Sequence, residues 1–200
     1  MNGRHGFFRD RRLGGGVDAF VVTQERNDHP YVPFPLQRGR VQESDGAWPE
    51  VVRDLQQGKP QAVYDARARG PFDFRQAPTP RFDLLNPDRY PRFTVQSQRG
   101  CPYACEFCAA SMRLSPKFRT KPVEKVLHEI RTLKELYRRP FIEFADDNTF
   151  ADKRHGRALM RGLAGEGIRW FTETDVSVAD DEDLLKMMRD AGCYQVLIGL

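Results

Sequence analysis

From Phe93 onward the chain alternates between short β-rich runs and amphipathic helical stretches, and this alternation restricts the folds open to it more than any other feature. "FTVQS" (93–97) is followed by "PVEKVLHEIRTLKELY" (122–137), where Val123, Val126, Leu127, Ile130, Leu133 and Tyr137 form one apolar stripe. "FIEFA" (141–145) reads as a strand and "DKRHGRALMRGLAGEG" (152–167) as a helix closed by glycine. "RWFTET" (169–174) is a third strand, "DDEDLLKMMRDAG" (180–192) a helix with an acidic start and a glycine end, and "YQVLIGL" (194–200) a fourth strand. The β-α-β-α-β-α-β order implies parallel strands joined by helical crossovers, in a barrel or in an open doubly wound sheet.

The part before Phe93 is of another kind. Residues 1–44 contain a glycine run and one short strand candidate, Val17–Val22, then a polar, proline-punctuated stretch without period, and are expected to be irregular. Residues 45–92 hold one short helix, in which Asp45 can cap, Pro49 suits the first turn, Val51, Val52 and Leu55 form the apolar stripe, and Gly58 ends it. Five prolines then interrupt 71–91, which fits an extended linker or a wrapping segment. Residues 93–200 end inside an apolar strand that no helix follows, so the chain reads as truncated.

Composition narrows the function classes. With 40% hydrophobic residues the chain can bury a core, and its net charge of +4 is too small a surplus to diagnose nucleic-acid binding, so nucleic acid is not an expected partner. No apolar run approaches the roughly 18 to 20 residues of a membrane span, and no apolar segment follows Arg4, Arg9, Arg11 and Arg12 as in a leader. A cytoplasmic location is the expectation.

Three of the four cysteines, Cys101, Cys105 and Cys108, fall within "RGCPYACEFCAAS" (99–111), directly after the first strand. Neighbours this close favour joint metal ligation over a disulfide framework. A structural zinc site wants a second ligand pair, and here Cys193 lies far down the chain and no histidine stands at a suitable spacing. A ferredoxin-type cluster uses four thiolates. Three cysteines leave one iron without a protein ligand, and an open metal position is a place for a substrate or cosubstrate.

"CPYACEFC", C-x3-C-x2-C with an aromatic before the last cysteine, in a loop after the first strand of a β/α array, strongly resembles the radical S-adenosylmethionine (SAM) enzymes. The resemblance implies an α/β fold: a partial (β/α) barrel of about four strands and three helices, preceded by the irregular segment. It implies that Cys101, Cys105 and Cys108 ligate three irons of a [4Fe–4S] cluster, the fourth iron being chelated by SAM. Cleavage of SAM would give a 5′-deoxyadenosyl radical for hydrogen abstraction, with methyl transfer as an extension. Phe107 matches the aromatic that flanks the adenine. Where many members carry Gly-Gly-Glu to meet the SAM amino group, this chain has Asp146, Asp147 and Asn148, whose oxygens are suitable acceptors; capping of the next helix is the plainer role for Asp147 or Asn148. Glu173, in "TETD" at the end of the third strand, is a candidate for the SAM ribose or methionyl part, or for a surface ion pair. A small-molecule substrate and an electron donor such as flavodoxin or ferredoxin are the implied partners.

"SQRGCPYACEFCAAS", "FADDNTF" and "AGCYQVLIGL" further resemble the radical SAM proteins that carry an upstream cobalamin-binding domain. Their Asp-x-His-x-x-Gly motif is not met here, since His5 has Gly3 in place of Asp and Phe8 in place of Gly, and cobalamin binding by this chain is doubtful. Two other readings stay open: a non-catalytic iron–sulfur module or inactive truncated product, and, more weakly, an α/β nucleotide-binding domain. The latter needs a glycine-rich turn after its first strand, whereas Gly14, Gly15 and Gly16 precede theirs.

Overall fold

The computed structural model describes residues 45–61, 64, 72–103, 105–106, 108 and 117–198. The Val17–Val22 strand candidate, the glycine run and His5 therefore lie outside the described residues. The elements are α1 (Trp48–Gln56), β1 (Phe93–Val95), β2 (Gln98–Arg99), β3 (Arg119–Thr120), α2 (Val123–Leu136), β4 (Phe141–Phe144), α3 (Lys153–Leu163), β5 (Arg169–Thr174), α4 (Glu182–Asp190) and β6 (Cys193–Ile198).

β1, β4, β5 and β6 form one parallel sheet in that order, so each new strand is added on the same side of the last. The three crossover helices pack on one face: Ile130 and Leu133 of α2, Leu159 and Leu163 of α3 and Leu184 of α4 share a core with Val95, Ile142, Phe144 and Trp170. Strand alternation sends Thr94, Glu143 and Glu173 to the other face. A doubly wound sheet would place helices on both faces, so this is the arc of a (β/α) barrel; the described residues do not close it. Among them, no helix is long and apolar enough to cross a membrane.

Local chemistry sets the helix ends. Asp152 caps α3 by accepting from the N–H groups of Arg154 and His155 at 2.9 and 3.0 Å. Asp181 caps α4 through Leu184 N–H and also accepts both bonds from the Arg157 guanidinium at 2.6 and 2.7 Å, tying α4 to α3.

The proline-rich stretch is the wrapping segment, not the extended linker. Three short 3-10 turns (Phe74–Gln76, Phe82–Leu84 and Pro87–Arg89) press Phe74 and Phe82 out of solvent, and Phe82 joins the main core. A proline-rich run has few N–H groups for a ladder, so its carbonyls need donors from elsewhere. Helix α2 and its C-cap supply them. Lys125 Nζ donates to the carbonyls of Arg75 and Ala77 at 2.8 and 2.9 Å, and the Tyr137 hydroxyl donates to those of Phe82 and Leu85.

Candidate functional site

The C-terminal ends of β1, β4 and β5 bring together Gln96–Arg99, Ala145–Asn148 and Thr174–Asp175. The last rung of the ladder there is Ala145 N–H to the Val95 carbonyl, 2.9 Å. Beyond it the chain leaves the sheet to make the cysteine loop, which β2 and β3 close at its base as an antiparallel ribbon pairing Gln98 with Thr120 and Arg99 with Arg119. No periodicity in two-residue strands announces that ribbon.

Within the loop, Cys108 N–H donates to the Cys105 carbonyl at 3.0 Å, a turn that draws the second and third cysteines together. None of the three is in a disulfide, and Cys105 is exposed and the others partly so. Burial pushes the Cys101 thiol above its ordinary value, a backbone bond at Tyr103 draws it down, and the Asp147 carboxylate and the other two thiols push it up. Asp147, Cys105 and Cys108 thus each lie within electrostatic reach of Cys101. A bound cation reverses that balance by replacing the thiol proton. Among the described residues no three His, Cys, Asp or Glu side chains converge as ligands of a single ion.

The fourth cysteine is elsewhere. Cys193 opens β6 opposite Trp170, at the N-terminal edge of the sheet, and burial pushes its thiol up to about 11. The donor set at the loop is three thiols, which fits a cluster with one open iron.

The three polar residues after β4 have separate occupations. Asp146 is buried, and its carboxylate accepts from Ser97 N–H (2.8 Å), Gln98 N–H (3.0 Å), Ser97 Oγ (2.5 Å) and Thr149 Oγ1 (3.0 Å). Asn148 is buried too; its Nδ2 donates to Asp175 at 2.6 Å and its Oδ1 accepts from Thr174 Oγ1 at 2.9 Å. Asp147 alone is exposed, beside Cys101. Of the three residues expected at the SAM amino group, Asp147 is the exposed one. None of the three caps the next helix, a task taken by Asp152.

Glu173 is exposed on the face of β5 away from the helices, while Thr172 and Thr174 on either side are buried. Phe107 lies outside the described residues. Thr172, in the "TETD" end of the third strand, is joined by Ser97, Gln98 and Thr149, which the sequence reading does not single out. They form a buried polar layer in which Thr149 Oγ1 and Thr172 Oγ1 stand 2.5 Å apart and Gln98 Nε2 donates to the Asn148 carbonyl. Gln98 is fully buried, and its Oε1 has no donor among the described residues. Such an orphaned buried acceptor at the base of the cysteine loop suits a ligand that brings a donor. The signal for this layer, polar residues where apolar strands end, was present but did not say which of them would be buried.

Burial raises the Asp146 carboxyl from 3.8 to about 6, against the hydrogen bonds that lower it. The folded chain then holds this proton more tightly than the unfolded chain. Its stabilising contribution is complete below pH 3.8 and is lost as pH rises through about 6, a difference on the order of 3 kcal/mol. The cluster-free wild type is expected to lose stability between about pH 4.5 and about pH 7 relative to Asp146→Asn, which cannot ionise. Urea midpoints of the two proteins at both pH values check this; parallel pH profiles would contradict it.

A parallel β/α arc with a three-thiol loop at the C-terminal edge of its first strand defines a class of cluster-binding domain. This chain belongs to the radical SAM superfamily, whose family model matches residues 95–200. It is 32% identical over 166 residues to an uncharacterized methyltransferase of Synechocystis, covering 80% of this chain and 31% of that protein. It is 26% identical over 192 residues to the bacteriochlorophyllide d C-12(1)-methyltransferase of Chlorobaculum tepidum, covering 94% of this chain and 41% of that protein. In fold it is similar to the cobalamin-dependent SAM radical enzyme OxsB, solved with aqua-cobalamin and SAM bound, with a TM-score of 0.59 at 20% identity over 80% of this chain and 27% of that one. The chain thus spans well under half the length of these relatives.

Proposed function

We propose that residues 93–200 form the cluster-binding part of a radical SAM enzyme, preceded by a helix and wrapping segment at 45–92, and that the whole protein generates a substrate radical and transfers a methyl group. The observation that carries this reading is the placement of three cysteines, none in a disulfide, near an exposed carboxylate at the C-terminal edge of a parallel β/α arc.

Cys101, Cys105 and Cys108 would each hold one iron of a [4Fe–4S] cluster, leaving the fourth for the amino and carboxylate groups of SAM. A bound, reduced cluster supplies the electron that splits the sulfur–C5′ bond of SAM into methionine and a 5′-deoxyadenosyl radical. Asp147 accepts from the SAM ammonium. Glu173, on the sheet face free of helices, accepts from the ribose or methionyl part, and Phe107 packs on the adenine. An electron donor of the flavodoxin or ferredoxin kind and a small-molecule substrate complete the system. A reducing compartment such as the cytoplasm keeps the thiols available. Methyl transfer rests on the methyltransferase activities named for the relatives.

The test is anaerobic reconstitution of the chain with iron and sulfide, reduction, addition of SAM, and measurement of 5′-deoxyadenosine. Formation of 5′-deoxyadenosine supports the reading; a fully loaded cluster that cleaves no SAM would favour a non-catalytic iron–sulfur module. Asp147→Asn is expected to weaken SAM binding roughly tenfold by removing a charge-assisted hydrogen bond while leaving iron content unchanged. Unchanged SAM affinity in that variant would remove Asp147 from the site.

A further inference from the structure

We propose that Asp146 is a positioning residue, which locks the stem of the cysteine loop to the loop carrying Asp147 and so sets the cluster ligands at the right place for SAM. This deepens the proposed function and rests on it.

The backbone creates the need. After Val95 the ladder between β1 and β4 is finished, and on the way to the cysteines the N–H groups of Ser97 and Gln98 meet a side chain in place of a strand carbonyl. One oxygen of Asp146 accepts both of them, continuing the ladder with a side chain. Its other oxygen accepts the hydroxyls of Ser97 and Thr149, so its acceptor sites are taken up by the two loops alone. The returning stem is fastened to the same point. Lys121 N–H donates to the Ser97 carbonyl at 2.8 Å, and Lys121 Nζ meets both oxygens of Glu129 on α2 at 2.8 and 3.0 Å, in an almost fully buried ion pair. Gln98 adds a third tie through its bond to the Asn148 carbonyl.

The spacing turns this latch into a ruler. Cys101 follows Gln98 by three residues, and Asp147 is the neighbour of Asp146. Nothing between the latch and either functional group is long enough to absorb a shift, so the separation of Cys101 from the Asp147 carboxylate is inherited from the Asp146 bonds. Proximity effects make such a distance matter, because a misplacement on the order of 1 Å is enough to lose a directed interaction.

The test compares wild type, Asp146→Ala, Asp146→Asn and Ser97→Ala, each reconstituted anaerobically as the full chain. The readouts are iron per chain and the SAM concentration that half-saturates the change in the electron paramagnetic resonance spectrum of the reduced cluster. Asp146→Ala is expected to keep its iron and need about tenfold more SAM. Asp146→Asn should stay within about threefold of wild type, since its carbonyl still accepts both N–H groups and its amide donates to the two hydroxyls. Unchanged SAM affinity in Asp146→Ala overturns the proposal. Should that variant fail to fold or load, Ser97→Ala decides: a shift of about threefold supports the latch, and wild-type affinity overturns it. A wild-type cluster whose spectrum SAM does not alter would instead defeat the proposed function, a separate outcome.

Discussion

Replacing any one of Cys101, Cys105 or Cys108 by alanine is expected to drop the iron bound after anaerobic reconstitution from about four per chain to below about one. The three thiols come from one short loop, and none is spent on a disulfide. With two protein ligands the cluster would have two irons open to water, and thiolate ligation is what holds it together. The internal control is Cys193→Ala, at the far edge of the sheet, which should load iron like the wild type. Iron and sulfide assays with the visible absorption spectrum provide the measurement. A loop variant that retained wild-type iron would sink the cluster assignment, as would a Cys193 variant that lost it.

Gly192→Ala is expected to cost more than about 3 kcal/mol of folding stability, enough to leave a marginal domain largely unfolded. Gly192 lies between α4 and β6 with φ at +90°, and a Cβ added there would sit 2.0 Å from the Ile168 carbonyl oxygen. The obstacle is backbone, so no rotamer change relieves it. The turn is also where the core is anchored: the Gly192 carbonyl accepts Trp170 N–H and the Ala191 carbonyl accepts Trp170 Nε1, holding a fully buried indole against Phe144. Gly58 provides the comparison, because its φ of +68° is similarly left-handed but nothing lies within 4 Å of an added Cβ. Gly58→Ala should lose only about 1–2 kcal/mol, the backbone term alone. Urea unfolding of both variants separates the two costs; equal losses would show that the dihedral, not the close approach, sets the penalty.

Much of the scaffold could be read in residue order. The apolar stripe from Val126 to Leu133, the acid-then-glycine frame of α4 and the β-rich "RWFTET" each carry a short-range signal, and the structure places an element on every one. The spacing of Cys101, Cys105 and Cys108 was equally plain, because a loop that short keeps its cysteines near one another however it folds. Two-residue strands β2 and β3 carry no period, and the proline-rich segment reads equally as a linker or a wrapping segment until Lys125 and Tyr137 are seen to satisfy its carbonyls.

The site divides along the same line. Asp146, Asp147 and Asn148 are adjacent, all polar and chemically alike, so nothing local tells them apart. Their fates are set by partners far away in sequence: Ser97 and Gln98 bury Asp146, and Thr174 and Asp175 hold Asn148. Local periodicity and ligand spacing are short-range properties written into neighbouring residues, whereas the choice of which carboxylate becomes a latch and which stays open depends on strands meeting at one edge of a sheet, and that only the folded chain decides.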